Sequence, residues 1–190
     1  TRLPLYPNHD QSALKRVLNY SSFATSALFY GLFMAKRADV MYAYHPPLTV
    51  GVAASLIRWV RGIPLVYDIQ DIWPDTLRAT GMLNNPRALA LVGRVCDLVY
   101  KRADQMVVLS PGFKRLLLQR GVPERKIDVI YNWADESALM APVGTVPAAF
   151  PAADRFRVVF AGNMGKAQAL DAVLDAATIL QARGSHASLI

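Results

Sequence analysis

Four short apolar runs alternate with helical patterns over the first two thirds of the chain, and this alternation restricts the possible folds more than any other feature. Apolar residues recur at three- and four-residue spacings over about residues 12–37, which predicts a long helix. Continuous apolar runs that stop at prolines, glycines or polar residues predict buried strands. The remaining predicted elements are strands at 39–44, 63–70, 104–110 and 126–132, and helices at 49–59, 85–103 and 110–121.

Strands of this kind, separated by helices, are typical of an α/β fold with a parallel sheet covered by helices on both faces. The sequence also predicts where two helices begin. Asn85 before Pro86 and Ser110 before Pro111 each predict a cap followed by proline at the first helical position, and Gly121 predicts the end of the second helix.

A stretch without periodicity separates this series from a second one. Residues 138–153 contain three prolines and predict a linker, placed at 141–154. Residues 155–190 then predict a strand, a glycine-containing turn, a helix and the first residues of another strand, which resembles the opening of a second Rossmann-like domain. No strand precedes the first helix, so we expect a fragment that lacks both ends of the protein.

Composition limits the possible classes. The 190 residues are 53% hydrophobic and 18% charged, as in globular proteins. The net charge of +7 is spread over basic pairs such as Lys15-Arg16 and Lys36-Arg37, which indicates solvated helix faces or attraction to an anionic membrane or phosphates. Nucleic-acid binding is disfavoured because no basic run is interleaved with aromatic residues.

The apolar window at 23–35 is too short to span a bilayer, and it does not follow the pattern of a signal peptide. A cytoplasmic protein with peripheral membrane contact is therefore expected.

Cys96 lies in a helical apolar run, where a buried small side chain is favoured over a nucleophile. No spacing of His, Cys and Asp suggests a metal site.

Carboxylates follow the second predicted strand directly, in the sequence YDIQDIWPD. Ligands of parallel sheets gather at the carboxyl ends of the strands, where carboxylates accept hydrogen bonds from sugar hydroxyls or transfer protons. We interpret Asp68 and Asp71 as candidates for this role. The alternative is helix capping with Trp73 packed over the end of the sheet, and capping explains Asp75 better.

Other polar groups follow the remaining strands. His45 precedes two prolines and serves either as a base or hydrogen-bond donor or only within a rigid turn. Ser110 and Gly112 begin a helix, so they either cap it or bind phosphate. The AGNMGK loop, with Gly162 and Gly165, is either a phosphate-binding turn or a plain tight turn.

Three segments together resemble glycosyltransferase family 4, the retaining group with the GT-B fold of two Rossmann-like domains. They are YDIQDIWPD, ADQMVVLSPGFKRLLLQRGVPERKIDVIYNWADE and VVFAGNMGKAQALD. The likeness is nearest to bacterial transferases of O-antigen and colanic-acid-type polysaccharide assembly, similar to the L-fucosamine transferase subgroup. It implies transfer of a sugar from a nucleotide sugar to a lipid-linked or saccharide acceptor at the inner face of the membrane, with no metal or cofactor.

The resemblance also implies domains and residue roles. Residues 1–140 would be the acceptor-binding domain and residues 155–190 the beginning of the nucleotide-sugar-binding domain. Asp68 and Asp71 would be catalytic. The implied acceptor-binding residues are His45, Gln70, Ser110 and Gly112, and the implied donor-binding residues are Asn132, Asp135, Gly162, Asn163, Gly165 and Lys166.

One position departs from the family pattern. Many relatives have His immediately before the Asp of the strand-end motif, and here that position is Gln70. A neutral amide cannot act as a base, so a side-chain base would be Asp68 or Asp71, or there is none. In retaining transfer the leaving diphosphate is held to help deprotonate the acceptor, and Gln70 would then only orient hydroxyls.

Further donor-site groups would lie after residue 190, so the resemblance implies that residues 1–190 alone have little transferase activity. Two other functions stay open from the sequence. One is a nucleotide-sugar epimerase on the same fold, which needs no acceptor. The other is a non-catalytic binding module, in which the acidic residues only cap helices.

Overall fold

The structure is a computed structural model that describes residues 1–7, 13–140, 156–165 and 168–190. The chain divides into two compact units. The first comprises Thr1–Arg78 and Met82–Asn132, and the second comprises Ala79–Gly81 and Trp133–Ile190. The predicted linker at 141–154 lies outside the described residues, and the predicted domain boundaries stay a prediction.

The first unit alternates helices and strands in the order that the sequence predicts. Its strands are β1 (Met41–His45), β2 (Leu65–Ile69), β3 (Gln105–Val108) and β4 (Ile127–Val129). Its helices are α1 (Ala13–Phe33), α2 (Leu48–Arg61), α3 (Asp75–Ala79), α4 (Pro86–Arg102) and α5 (Pro111–Gln119), and a 3-10 turn at Glu124–Lys126 precedes β4. Among the described residues, no helix is long and apolar enough to cross a membrane.

The four strands form one parallel sheet in the order β1-β2-β3-β4. Tyr67 in β2 lies beside Ala43 in β1 and Met106 in β3, and Met106 lies beside Ile127 in β4. All four side chains are buried in the core. The prediction of an α/β fold with a parallel sheet is therefore confirmed.

The helices that share this core pack against one face of the sheet. Leu48 of α2, Val99 of α4 and Leu117 of α5 join the buried row of the strands in one hydrophobic cluster. The opposite face carries Tyr42 and Tyr44, which are 60% and 53% exposed. Helices were expected on both faces, but right-handed crossovers between strands in sequential order place every connecting helix on the same side.

The predicted helix caps of the first unit are confirmed. The side chain of Asn85 accepts hydrogen bonds from the backbone N–H groups of Arg87 and Ala88 at 2.9 and 3.2 Å. Gly121 follows α5 with a φ of +80°, a left-handed conformation that favours glycine. These local signals determine where α4 begins and where α5 ends, and hence the length of these two connections between strands.

Asp104, just before β3, joins three elements at the amino ends of the strands. Arg58 of α2 donates from Nε to Asp104 Oδ2 at 2.6 Å and from Nη2 to Oδ1. The backbone N–H of Leu65, the first residue of β2, also donates to Oδ2, at 2.8 Å. The hydrogen bonds from Arg58 hold the pKa of Asp104 below its usual range, although partial burial opposes this.

The second unit contains α6 (Glu136–Leu139), β5 (Phe156–Val158), α7 (Leu170–Ala182) and β6 (Ala187–Leu189). The two strands pair in parallel, with Arg157 beside Ser188. No described residue of α7 is buried. The predicted order of strand, glycine-containing turn, helix and strand is confirmed.

Replacing Asp104 with Ala is expected to destabilise the first unit by about 1–2 kcal/mol, because the Arg58 side chain and the Leu65 N–H both lose their acceptor. Urea unfolding monitored by circular dichroism measures this. Asp39→Ala, which removes an exposed carboxylate before β1, is the control and is expected to have little effect.

Since the pKa of Asp104 is lowered in the fold, the contribution of Asp104 to the free energy of unfolding is present above the ordinary pKa of about 3.9. This contribution is lost as the pH falls further. An equal effect of both variants at pH 7 would contradict the assigned role.

Candidate functional site

The predicted site residues of the first unit follow the carboxyl ends of the strands, but the sheet divides them between its two faces. His45 ends β1 and is paired with Ile69 at the end of β2. Asp68 precedes Ile69 and is paired with Tyr44, so it points to the opposite face. Asp71 lies beyond the strand and is close enough to His45 for its charge to act on the imidazole ring. The structure thus places Asp71 within electrostatic range of His45 and turns Asp68 to the other face of the sheet.

Asp68 is nearly buried and forms a small polar cluster with two neighbours. Its Oδ2 accepts a hydrogen bond from the hydroxyl of Tyr42, and its Oδ1 accepts one from Gln70 Nε2 at 2.7 Å. Partial burial and the bond to Asp68 raise the pKa of Tyr42 to about 12. The phenol therefore stays a donor at neutral pH, and the carboxylate holds the Gln70 amide in place.

His45 is enclosed by aromatic rings. Its side chain is only 1% exposed, and its ring centroid lies 5.8 Å from that of Tyr67 and 5.2 Å from that of Trp73, in edge-on geometry. Neither imidazole nitrogen has a hydrogen-bond partner in the structure. Burial lowers the pKa of His45 to about 4, while the charge of Asp71 acts in the opposite direction. His45 is therefore neutral at physiological pH.

The loop after β2 is anchored from α5. Arg120 donates from Nη1 to the backbone carbonyl of Trp73 at 2.7 Å and from Nη2 to Asp75 Oδ2 at 2.7 Å. Asp75 is the first residue of α3. Its position at the start of a short helix agrees with the structural role predicted for it, and the ion pair with Arg120 adds a second contact that fixes the loop carrying Asp71.

Ser110 and Gly112 lie at the start of α5, after β3. Ser110 Oγ accepts a hydrogen bond from the Phe113 N–H at 3.3 Å, so the capping interpretation of Ser110 is confirmed. A Cβ atom at Gly112 would approach Ser110 Oγ to 3.5 Å, an ordinary contact. The fold of this unit therefore does not require glycine at 112.

The predicted donor-binding residues lie beyond the four-stranded sheet. Asn132 is exposed after β4. Asp135 caps α6, with its Oδ1 accepting from the Ser137 N–H at 3.0 Å. Gly162, Asn163 and Gly165 lie in the loop after β5, where the Gly165 N–H donates to Gln168 Oε1 at 3.0 Å, and Lys166 lies outside the described residues.

The described part of the chain supports neither a metal site nor a reactive cysteine. No group of three or more His, Cys, Asp or Glu side chains there is placed to hold a metal ion. Cys96 is 1% exposed, and burial raises the pKa of its thiol to about 11. The thiol is therefore protonated at neutral pH, as expected of a buried packing residue.

A family model described as a glycosyl transferase 4-like domain matches residues 1–133. The chain belongs to this family. The matched region includes the whole four-stranded sheet and both candidate carboxylates, Asp68 and Asp71. The resemblance seen in the strand-end motif is therefore confirmed at the level of the family.

Two curated proteins are similar to this glycosyl transferase 4-like chain. One is a probable glycosyltransferase, WbjE, of Pseudomonas aeruginosa, which is 28% identical over 152 residues, covering 77% of this chain and 38% of the relative. The other is a putative colanic acid biosynthesis glycosyl transferase, WcaI, of Escherichia coli K12, which is 26% identical over 195 residues, covering 95% of this chain and 46% of the relative. The chain spans less than half the length of the curated relatives it matches.

Sequence reasoning missed two residues that organise the site of this glycosyl transferase 4-like domain. Tyr42 lies on the neighbouring strand, 26 positions before its partner Asp68. Arg120 lies 47 positions after the Trp73 carbonyl that it binds. The alternation in the MYAYH run predicts that Tyr42 and Tyr44 share a face. It gives no indication that this face also carries Asp68, because strand register is a tertiary property.

Replacing Tyr42 with Phe is expected to destabilise the first unit by about 1–3 kcal/mol, because a nearly buried carboxylate loses one of its two donors. Urea unfolding of the purified variant measures the change. Tyr44→Phe is the matched control on the same face and the same strand, and it is expected to have no measurable effect. Equal stability of the Tyr42 variant and the wild type would show that the bond to Asp68 does not contribute.

His45 is expected to make stability fall as the solution is acidified. Its pKa of about 4 in the fold lies below the ordinary value of 6.5, so the unfolded chain binds the proton more tightly. Stability is then complete above pH 6.5 and is lost between pH 6.5 and 4, by up to about 3 kcal/mol. The comparison of urea midpoints at pH 7.5 and 5 for wild type and His45→Phe isolates this effect. An unchanged pH dependence in the variant would contradict it.

Proposed function

We propose that this chain carries the acceptor-binding domain of a retaining glycosyltransferase, which moves a sugar from a nucleotide sugar to a lipid-linked or saccharide acceptor in bacterial surface polysaccharide biosynthesis. Membership of the glycosyl transferase 4-like family and the names of both similar proteins support this proposal. In it, residues 1–140 form the acceptor side, residues 141–154 the linker, and residues 155–190 the beginning of the donor side. The enzyme works in the cytoplasm at the inner face of the membrane and needs no metal or cofactor.

The observation that supports the acceptor site best is the position of Asp71. It follows β2 at the carboxyl edge of the sheet, it is partly exposed, and its charge acts on the neutral, buried His45. A carboxylate at this edge accepts a hydrogen bond from an acceptor hydroxyl and orients its oxygen for attack. Asp71 is thus proposed as the catalytic contact to the acceptor.

Asp68 and Gln70 act together in this proposal. Asp68 is enclosed and accepts hydrogen bonds from Tyr42 and Gln70. The bond to Gln70 fixes the amide, whose other atoms orient acceptor hydroxyls without taking a proton. Asp68, for which the family resemblance implies a catalytic role, is then a positioning residue for Gln70, and Ser110 and Gly112 complete the acceptor edge at the start of α5.

The donor side is proposed from the second unit. The loop with Gly162, Asn163, Gly165 and Lys166 would lie near the diphosphate, and Asn132 and Asp135 would contribute from the connection between the domains. During transfer, the bond between the sugar carbon and the diphosphate oxygen breaks while the acceptor oxygen bonds to that carbon on the same face. The acceptor proton passes to the leaving diphosphate, so no side-chain base is needed, which agrees with the neutral Gln70.

Replacing Asp71 with Asn in the full-length enzyme is expected to lower kcat/KM for the acceptor about tenfold to a hundredfold, because a charged acceptor of the hydroxyl hydrogen bond becomes neutral. Steady-state release of the nucleotide diphosphate measures the rate. Asp75→Asn, in the same loop, is the control and is expected to keep near-normal kinetics with some loss of stability through Arg120. Unfolding of the Asp71 variant with no separate kinetic defect would favour the capping interpretation instead.

Titration of the full-length protein with uridine and guanosine diphosphates tests the donor side. One of the two is expected to bind, and Lys166→Ala is expected to weaken it by about tenfold or more, as the loss of a charge-assisted hydrogen bond does. If neither nucleotide binds and Lys166→Ala changes nothing, the chain is a binding module rather than an enzyme. Free epimer that accumulates without an acceptor would instead show an epimerase.

A further inference from the structure

A polar cavity lies between the second half of α4 and the connection from α5 to β4. Its volume is about 400 Å³. Lys101 shortly precedes β3 and Lys126 directly precedes β4, so the cavity is at the amino ends of these strands. Asp71 and Ser110, in contrast, follow the carboxyl ends of β2 and β3. The cavity is therefore separate from the candidate acceptor site.

Positive charge dominates the lining of the cavity. Asp97 is the one carboxylate among the lining residues that the structure describes, against four cations: Lys101, Arg120, Arg125 and Lys126. Tyr100 and Val122, which also line the cavity, are 3% and 8% exposed, so its inner wall is buried protein. A cleft with charges of mostly one sign and walls of low dielectric constant focuses the field and concentrates counter-ions. The cavity therefore favours an anion.

Two of the four cations have partners within the chain. The Lys126 ammonium donates to the backbone carbonyls of Lys101 and Ala103 at 3.2 and 2.7 Å. These carbonyls lie at the end of α4, so Lys126 supplies the cation that stabilises the carboxyl end of that helix. Arg120 pairs with Asp75 at 2.7 Å. Both side chains are thus held in place by structural contacts, and the proposal does not depend on their being free.

The other two cations, Lys101 and Arg125, have no such partner. Among the described residues, neither side chain forms a hydrogen bond or an ion pair. They come from different elements, since Lys101 belongs to the last turn of α4 and Arg125 to the 3-10 turn before β4. The end of α4 already has Lys126 as its cation, so capping of that helix does not account for Arg125. Two available charges from separate elements therefore line one cavity.

We propose that this cavity binds a phosphate group, with Lys101 and Arg125 as its main partners. A guanidinium donates to two phosphate oxygens at once, and an ammonium adds a compact charge beside it. The volume lies within the roughly 300–1,000 Å³ of small-molecule sites, so the cavity has room for an organic group that carries the phosphate. The ligand is a soluble phosphate ester or the phosphate headgroup of a membrane lipid.

Calorimetric titration of the full-length protein with glycerol 3-phosphate tests the soluble source. Saturable binding is expected, with none for glycerol at the same concentrations. The double substitution Lys101→Gln with Arg125→Gln, called the cavity variant, is expected to weaken glycerol 3-phosphate about tenfold or more, because two charge-assisted hydrogen bonds are lost. Both side chains are exposed, so the circular dichroism of the cavity variant is expected to match that of the wild type.

Two other arginines of α4 provide a matched control. Arg87 and Arg94 are exposed and do not line the cavity. The double substitution Arg87→Gln with Arg94→Gln removes the same net charge as the cavity variant and is expected to leave phosphate binding unchanged. Equal weakening by both double variants would mean general attraction to a basic protein and would overturn the proposal.

Co-sedimentation with vesicles tests the lipid source. The vesicles are phosphatidylcholine with and without phosphatidic acid, whose headgroup is the phosphate ester of glycerol. Loss of binding to phosphatidic acid vesicles in the cavity variant but not in the control variant would assign the site to a lipid headgroup. Vesicle binding that is equal in all proteins, with glycerol 3-phosphate weakened only in the cavity variant, would assign it to a soluble ester. If the cavity variant matches the wild type in both experiments, the proposal is wrong.

Lys166→Ala separates this phosphate site from the proposed donor site. It is expected to leave glycerol 3-phosphate binding unchanged, and the cavity variant is expected to leave nucleotide diphosphate binding unchanged. Loss of glycerol 3-phosphate binding in Lys166→Ala, with normal binding in the cavity variant, would refute the cavity while the transferase stands. Failure of both nucleotides to bind the wild type, with cavity-dependent binding of glycerol 3-phosphate retained, would refute the donor site while the cavity stands.

Discussion

The right-handed crossover between parallel strands is the constraint on which the rest of the first unit depends. The strands follow one another in space as they do in sequence, so each connecting helix passes over the same face of the sheet. This places α2, α4 and α5 in one layer and collects the carboxyl ends of all the strands at one edge. The candidate site is a consequence of that arrangement, since His45, Asp71 and Ser110 come from three different strand ends.

Local sequence signals predicted the elements well, because they act over a few residues. The cap at Asn85 and the left-handed Gly121 each follow from the chemistry of a single turn. The continuous apolar runs predicted a buried parallel sheet because the side of a strand that packs on the core has to be apolar. Predicted boundaries were less accurate: the first helix ends at Phe33 rather than near residue 37, where two basic residues had been included in it.

The division of the acidic cluster was not predictable from the sequence. Asp68 and Asp71 are three positions apart, and the period of two in a strand turns one of them toward Tyr42 while the other leaves the strand near His45. The residues that surround each of these two aspartates depend on strand register and strand order, which are long-range properties. For the same reason one shared role was predicted for Asp68 and Asp71, whereas their surroundings differ. Asp68 is held by two donors in a nearly closed site, and Asp71 is partly open.

The uncovered face of the sheet has a consequence for association between chains. Tyr42 and Tyr44 expose aromatic surface there, and among the described residues no strand pairs with the outer side of β1. An unpaired strand edge next to exposed aromatic rings is a template for pairing with another chain. Among the described residues, the outer edge of β1 is therefore a surface at which we expect one chain to pair with another.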